Sequence, residues 1–548
     1  MHKYSHITTE IRFTPKPNMQ IGLGIDLGST DVRVGAYNLF TNELVAVKSS
    51  SVPYYNHGNK RVTQSTDEII SAIVECIGML NVDLSMIKSC GVAATCSLAF
   101  FEYNNVKGLI PHRLYELETE PVQNVVFWMD STATKQAEEL NALNGSEKQF
   151  LGGGFIPEMG IPKLNAFLET LSNSSTKSFE VFDLHTFIAY DLAQKYRWDA
   201  TLLLNKPNQN GIGHDGEVRG WSDQFYRNPV KLLNIVRIGP VRINRMWSPV
   251  KVASCIDCYA GWFAMCLPKP DRTLFMAAGT STCYLFAKPS SNQCIPGIWG
   301  PFTDIIDEGS DRTWSVYEAG QSTTGKLLEH LFKSHPAAQQ YLLGGISLFD
   351  VLERAIEDVE RSTGQSVHLL TKYMFTYGEL QGNRTPFCDP NMTGMFIGET
   401  TDTSLQDLMF KYVTVLEFLA FQAKQIRDCL GADIENITVS GSQAKNSRLL
   451  SLISMVNGGL PVRKPMKRAE LMGVRGAFLL GKSRYLNESL LSTGTEHSAD
   501  FALLEVETLP SLKDNDNVRR LLAVKYEIYL DMAKVQRKYR TMVDVQVS

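Results

Sequence analysis

At 548 residues the chain has length for two to four domains, and 44 % hydrophobic with 20 % charged residues is an ordinary globular mixture. Lys+Arg 54 against Asp+Glu 58 leaves a net charge of −4, which argues against a dedicated nucleic-acid or membrane-surface binder. No apolar run reaches the ~18 residues of a membrane span, and ten cysteines are too sparse for a disulfide scaffold.

In chain order, residues 1–20 lack the roughly 7–15 apolar residues of a secretory leader. They read as a disordered or edge-strand lead-in. His2, Lys3, Arg12 and Lys16 against Glu10 leave an organelle-targeting segment open, so the expected compartment is the cytoplasm with a mitochondrial one as alternative. Ile21–Ile25, Val32–Tyr37 and Leu44–Val47 are short strand-like runs joined by turns, a β-meander rather than a strand-to-helix unit. Ile69, Ile70, Ala72, Ile73, Ile77 and Leu80 share a helix face over Thr66–Leu80. Cys90–Ala94 and Val125–Met129 read as further strands. Two prolines in Leu267-Pro-Lys-Pro-Asp271 mark a boundary. After it, a strand (Thr273–Ala277), a small-residue turn and a second strand (Cys283–Ala287) repeat the opening pattern, which suggests two domains of one fold facing a cleft. A deeply buried helix is expected over Leu405–Leu430, with Ser404 as N-cap and Asp407 as its capping-box partner. A strand at Ile437–Ser440, a turn, a helix at Ser447–Val456 and a charged tail helix over Asn517–Met542 complete the pattern. The expected division is 1–20 lead-in, 21–267 first domain and 268–548 second domain.

Four segments carry candidate chemistry. In Gly24-Ile-Asp-Leu-Gly-Ser-Thr30, the backbone at Gly28 and the hydroxyls of Ser29 and Thr30 suit phosphate oxygens. Asp26, at a strand end, suits a magnesium ion, and Arg33 suits a transferring phosphoryl group. No Gly-Lys-Ser/Thr follows, so this is not a Walker loop, and no helix follows, so it is not a dinucleotide fingerprint. An ordinary hairpin turn is the alternative. Ala278-Gly-Thr-Ser-Thr282, with Gly279, Thr280 and Ser281, is a second such turn; the two together would grip a triphosphate from both sides. Asp257, in Cys255-Ile-Asp-Cys-Tyr-Ala-Gly261, suits a base that takes a proton from an attacking hydroxyl; a helix N-terminal carboxylate is the alternative. The Cys255–Cys258 pair has no second CxxC, so reduced buried thiols are the better reading. Gly441-Ser-Gln-Ala-Lys-Asn446 is a strand–turn–helix element whose small residues suit an adenine ring, with Asn446 offering an amide.

These segments, in this order, resemble the FGGY carbohydrate kinases and within them the ribulokinase-like branch, over about Ile21–Gly481. Ala94-Thr-Cys-Ser-Leu98, Trp128-Met-Asp130, Pro157-Glu-Met159 with Pro162-Lys-Leu164, Glu318-Ala-Gly-Gln-Ser322 and Gly382-Asn-Arg-Thr-Pro386 add to the match. The resemblance implies an α/β fold of two ribonuclease-H-like domains, of the actin and sugar-kinase superfamily, closing on ATP, Mg2+ and a sugar. It implies Asp257 as general base and Asp26 as the magnesium residue. It puts Gly320, Gln321, Gly441, Ser442 and Asn446 at the nucleotide, and Ser97, Trp128, Asp130 and Lys163 on the sugar side. The implied reaction is ATP + D-ribulose → ADP + D-ribulose 5-phosphate.

The sequence departs from the branch mainly on the substrate side. The branch has aspartate at Ala93, Asp-His-Arg-Ala at Asp130-Ser-Thr-Ala133, Ile-Asp-Ala-His where Tyr259 replaces the histidine, and Leu-Pro-Asp at Leu184-His-Thr186. A cysteine- and tryptophan-bearing stretch has become Asp199-Ala-Thr-Leu-Leu-Leu-Asn205, and Ser442 replaces a glycine. Losing hydrogen-bonding groups at a polyol, at roughly 1–3 kcal/mol each, redirects specificity. Hence a kinase for another ketose or polyol, or a non-catalytic ATP- or sugar-binding regulator, stands as alternative; an actin- or chaperone-like ATPase leaves the Pro157-Glu-Met159 and Asp257 segments unexplained. Expected partners are ATP and a small sugar or polyol, with no nucleic acid or membrane and a homodimer left open.

Overall fold

The structure, a computed structural model, describes residues 19–116, 120–171, 177–203, 235–240, 248–289, 291–303, 305–306, 314–431, 433–493, 502–513 and 515–547. Residues 1–18 of the expected lead-in, and Leu204 and Asn205 of the divergent stretch after Asp199, lie outside the described residues.

The first sheet holds β1 (Ile21–Leu27), β2 (Asp31–Asn38), β3 (Leu44–Ser51), β4 (Ile87–Ala94) and β5 (Lys251–Ile256), in the order β5-β4-β1-β2-β3. β1, β2 and β3 form the expected antiparallel meander, while β4 runs parallel to β1 and β5 parallel to β4. β1 is buried along its whole length, as a strand covered on both faces must be. Its alternation sorts the faces. Ile21, Leu23, Ile25 and Leu27 pack with Ile69, Ile73 and Ile77 of helix α1 (Thr66–Met79). Gly22 and Gly24 open the other face to a close helix, and Asp26 follows them on that same face.

The second sheet repeats this plan. β6 (Thr273–Ala278), β7 (Thr282–Pro289), β8 (Trp299–Phe302), β9 (Trp314–Gln321), β10 (Asn436–Ser440), β11 (Val462–Pro465) and β12 (Leu503–Glu505) lie in the order β8-β9-β7-β6-β10-β11-β12. β6, β7 and β9 are an antiparallel meander, and β10 and β11 add in parallel. The run β11-β10-β6-β7-β9 therefore matches β5-β4-β1-β2-β3 strand for strand, which is the duplicated ribonuclease-H-like architecture. A further seven-stranded sheet of shorter strands, including Leu98–Asn104 and Ser178–Asp183, belongs to the first half. It packs with helix α2 (Gly160–Thr170).

The two halves share a core. Helix α3 (Asp257–Cys266) leaves β5 and is buried from Cys258 to Cys266. Its Trp262, Phe263 and Met265 join one apolar cluster with Phe275 and Leu285 of the second sheet. Beyond the expected boundary at residue 267 the chain also crosses back. After α4 (Leu405–Leu430) and α5 (Ser447–Val456), helix α6 (Met472–Leu486) lies on the first sheet and on α3. The apolar face of α6 fits the glycines of β1 and β4.

Two local expectations need correction. Val125–Met129 is a strand only over Val125–Val126; Trp128 then turns away because its backbone N–H donates to Ser97 Oγ at 2.9 Å. Ser404 caps α4, accepting from Asp407 N at 3.3 Å, but Asp407 does not return the bond. Its carboxylate instead meets His335 Nε2 and Lys411 Nζ, each at 2.9 Å, while Ser404 N donates to Asp402. The tail helix α7 runs over Asp516–Val547 and buries Leu522, Tyr526, Tyr529 and Met532. Among the described residues no helix is long and apolar enough to cross a membrane. None of the ten cysteines is in a disulfide.

Candidate active site

The parallel strands of the first sheet end at one edge, the place where open α/β sheets bind ligands. In register, Asp26 on β1 and Cys255 on β5 flank Ala93 on β4. Asp26 is therefore one strand away from the chain's exit into α3, whose first residue is Asp257. Asp257 Oδ1 accepts from Cys258 N at 2.8 Å, at the helix end that favours negative charge. Asp26 abuts the first turn of α6, where a Cβ at Gly473 would lie 2.3 Å from its Oδ2. Burial first, and the neighbouring Asp257 second, push the Asp26 carboxyl up to about 7 against the pull of Arg33. Two carboxylates on one polar cavity are the donor chemistry of a hard divalent cation.

Both small-residue turns open into the same cavity of about 550 Å³, together with Asp26 and Asp257. Gly28, Ser29 and Thr30 join β1 to β2, closed by Gly28 N donating to Asp31 O at 3.0 Å. Arg33 lines the cavity and pairs with Asp31 at 2.6 Å. Gly279, Thr280 and Ser281 join β6 to β7; Thr280 O accepts from Thr324 N and Lys326 N, which fixes the turn to the next helix. Gly441 and Ser442, after β10, come against this turn. Gly441 has φ +84°, and a Cβ there would lie 2.5 Å from Ala278 O, so only glycine allows the approach.

Trp128 also lines the cavity. Its indole N–H donates to Ser29 Oγ at 3.1 Å, which links the sugar-side segment to the first phosphate turn. Ser97 and Lys163, expected on the sugar side, are set back from the cavity. Ser97 is 3 % exposed and receives Trp128 N; Lys163 is 4 % exposed and donates to Phe127 O and Trp128 O at 2.9 and 3.1 Å. They hold Trp128. Asp130 is fully buried and does not line the cavity either, because its carboxylate accepts from Val62 N, Thr132 N and Thr132 Oγ1 and so locks its own loop.

Gly320, Gln321 and Asn446 are also off the wall. Gly320 N donates to Thr385 Oγ1 and Gln321 Nε2 to Thr323 O, each at 2.9 Å. Asn446 caps α5, accepting from Leu449 N while donating to Tyr412 Oη. Ala93 is packed between Ala260 and Ala477, fully buried. Tyr259, another departure, donates to Glu318 Oε2 at 2.6 Å and so joins α3 to β9.

Among the charged groups on the wall that have no role expected from sequence are Glu158, Arg384 and Glu318. Arg384 Nε meets Glu158 Oε2 at 2.7 Å across the two halves, and its guanidinium lies 5.4 Å from the Trp128 ring centre. Each sits in a motif segment, but nothing local pairs residues 226 positions apart.

Comparison with known proteins places the chain in a family. The model of the FGGY family of carbohydrate kinases, C-terminal domain, matches residues 274–482. Protein MPA43 of Saccharomyces cerevisiae is 46 % identical over 542 residues, covering 96 % of this chain and 98 % of that protein. D-ribulokinase YDR109C of the same yeast is 29 % identical over 539 residues, covering 87 % of this chain and 74 % of the relative. Among solved structures, a xylulose kinase from Lactobacillus acidophilus superposes with a TM-score of 0.65 at 15 % identity, over 95 % of this chain and all of that one; this likeness shows the fold. The chain belongs to the FGGY family of carbohydrate kinases.

Proposed function

We propose that the chain transfers the γ-phosphoryl group of ATP to a terminal hydroxyl of a pentulose, with D-ribulose as the leading substrate. The observation that carries this reading is the convergence of two phosphate-type turns and two carboxylates, Asp26 and Asp257, on one cavity lined by both halves. Gly28–Thr30 and Gly279–Ser281 hold phosphate oxygens from opposite sides, and Arg33 compensates charge on the group in transfer. Asp257 accepts the proton of the attacking hydroxyl. Asp26 is the group that would hold Mg2+, which when bound neutralises charge on the phosphates. Gly441 and Ser442 border the nucleotide, and Trp128 the sugar. Closure of the halves excludes water, so that the hydroxyl and not water takes the phosphoryl group.

D-ribulose follows from the branch resemblance and the ribulokinase relative, and it is the finer part of the proposal. The non-catalytic alternative is motivated by the substrate-side departures; Asp26, Asp257 and both turns, which line one cavity, argue against it. The test is ADP release with Mg·ATP against D-ribulose, L-ribulose, xyluloses, polyols and glycerol, with Asp257→Asn alongside. We expect a D-ribulose signal and a drop of about 100-fold or more in the variant, with ATP binding retained. A signal restricted to another polyol would replace the substrate, and an Asp257→Asn enzyme of undiminished rate would remove Asp257 from the mechanism. Silence across the panel with ATP still bound would favour the regulator.

A further inference from the structure

Under the floor of the cavity lies a second donor set that the phosphoryl-transfer chemistry does not use. Cys258 stands in the first turn of α3, Cys283 on β7 and Glu318 on β9. Cys283 faces Gly320 in the β7–β9 register and Leu285 faces Glu318, so Cys283 and Glu318 are diagonal neighbours on one face of the sheet. One ligand atom from each of the three residues lies within 4.8 Å of the others. All three residues also reach the cavity surface. Tyr259 Oη, 2.6 Å from Glu318 Oε2, orients the carboxylate from behind.

We propose that Cys258, Cys283 and Glu318 form a binding site for a thiophilic divalent cation of the Zn2+ class, separate from the hard-cation position at Asp26. Two sulfurs and one carboxylate oxygen are three of the four donors of a tetrahedral zinc site, with the fourth position open to the cavity for water. Magnesium, which prefers oxygen donors, is disfavoured there. On binding, each thiol gives its proton to solvent and each sulfur its lone pair to the metal; nothing is oxidised. The filled site ties α3, immediately after Asp257, to two strands of the second sheet. It thereby fixes the helix that joins the halves and blocks turnover.

Co2+ is the probe. The full-length protein, reduced with a phosphine and freed of metal, is titrated with Co2+ while near-ultraviolet sulfur-to-cobalt absorption is followed. We expect a band that saturates at one equivalent and is removed by Zn2+. Cys258→Ala, which installs the alanine of the family pattern, and Cys283→Ser each weaken binding more than about 10-fold, whereas Cys429→Ser, on α4, keeps it. X-ray absorption of the zinc-loaded wild type needs no variant and should show two sulfurs at about 2.3 Å with oxygen completing the shell. A missing band, a band that survives Cys258→Ala, or a shell without two sulfurs overturns the proposal. These readouts do not involve phosphoryl transfer, so failure of the kinase reading leaves them intact. Inhibition by Zn2+ of wild type but not of Cys258→Ala is the expected functional consequence.

Discussion

Gly476 is where packing and chemistry meet most sharply. It lies on α6 against α3, and a Cβ added there would stand 1.6 Å from Ala260 O and 2.4 Å from Ala260 C. An ordinary carbon–oxygen contact needs about 3.3 Å, and the obstacle is helix backbone, which cannot swing aside as a side chain does. Gly476→Ala must therefore move the helices apart by about 1.5 Å. Overpacking of this kind costs about 1–3 kcal/mol, and more when backbone must move. Ala260 is one turn after Asp257 on the same helix, so the displacement is carried to the carboxylate, and a misplacement of about 1 Å at a reacting group costs about 100-fold in rate. The assay pairs thermal unfolding with steady-state kinetics on the accepted sugar. Gly78→Ala is the control, because nothing lies within 4 Å of its Cβ on the exposed side of α1; it should be neutral or stabilising by up to about 1 kcal/mol. A Gly476→Ala enzyme that unfolds with the wild type and turns over at its rate would refute the argument.

The remaining predictions concern buried polar groups. Lys163→Met leaves the carbonyls of Phe127 and Trp128 without their donor; the sugar KM should rise about 10-fold while the ATP KM holds, and equal changes in both would deny Lys163 its positioning role. Lys525 joins α7 to Glu417 of α4 at 2.7 Å, and His368 meets the same carboxylate at 2.7 Å. Lys525→Met should cost about 3–5 kcal/mol in chemical denaturation, since it removes one partner of a buried pair; a loss under about 1 kcal/mol would mean that His368 suffices. Burial pushes the Glu379 carboxyl up to about 7 from 4.5, against hydrogen bonds from Asn383 and Gln422. The fold thus holds this proton more tightly than the unfolded chain does. Its stabilisation is complete below pH 4.5 and is lost as pH rises through 7, up to about 3 kcal/mol in all. Between pH 5 and 8 the wild type should lose stability relative to Glu379→Gln, and parallel pH profiles would contradict this.

Much of the fold is legible because its signals are local. The period-2 run of β1, the helix face of α1 and the hydroxyl cap at Ser404 each lie within a short stretch of chain. The two turns were readable for the same reason, and the repeated strand–turn–strand pattern implied that they face one cavity. Asp407 does not close a capping box at Ser404 because His335 and Lys411 have the stronger claim on its carboxylate, and His335 is 72 positions away in sequence.

The sequence by itself determined the residue types at the two turns and at both carboxylates, since glycine, hydroxyl and acid at a strand end are local requirements. The tertiary structure alone decided which polar side chains reach the cavity. Ser97, Asp130 and Lys163 carry the right chemistry for a sugar, yet backbone groups brought close by folding hold them at a distance from it. It also decided that Glu158 meets Arg384, and that Cys258, Cys283 and Glu318 meet one another. The physical reason is the same in each case: a buried polar group takes the partner that removes its desolvation cost, and that partner is set by which strands and helices lie side by side rather than by chain distance.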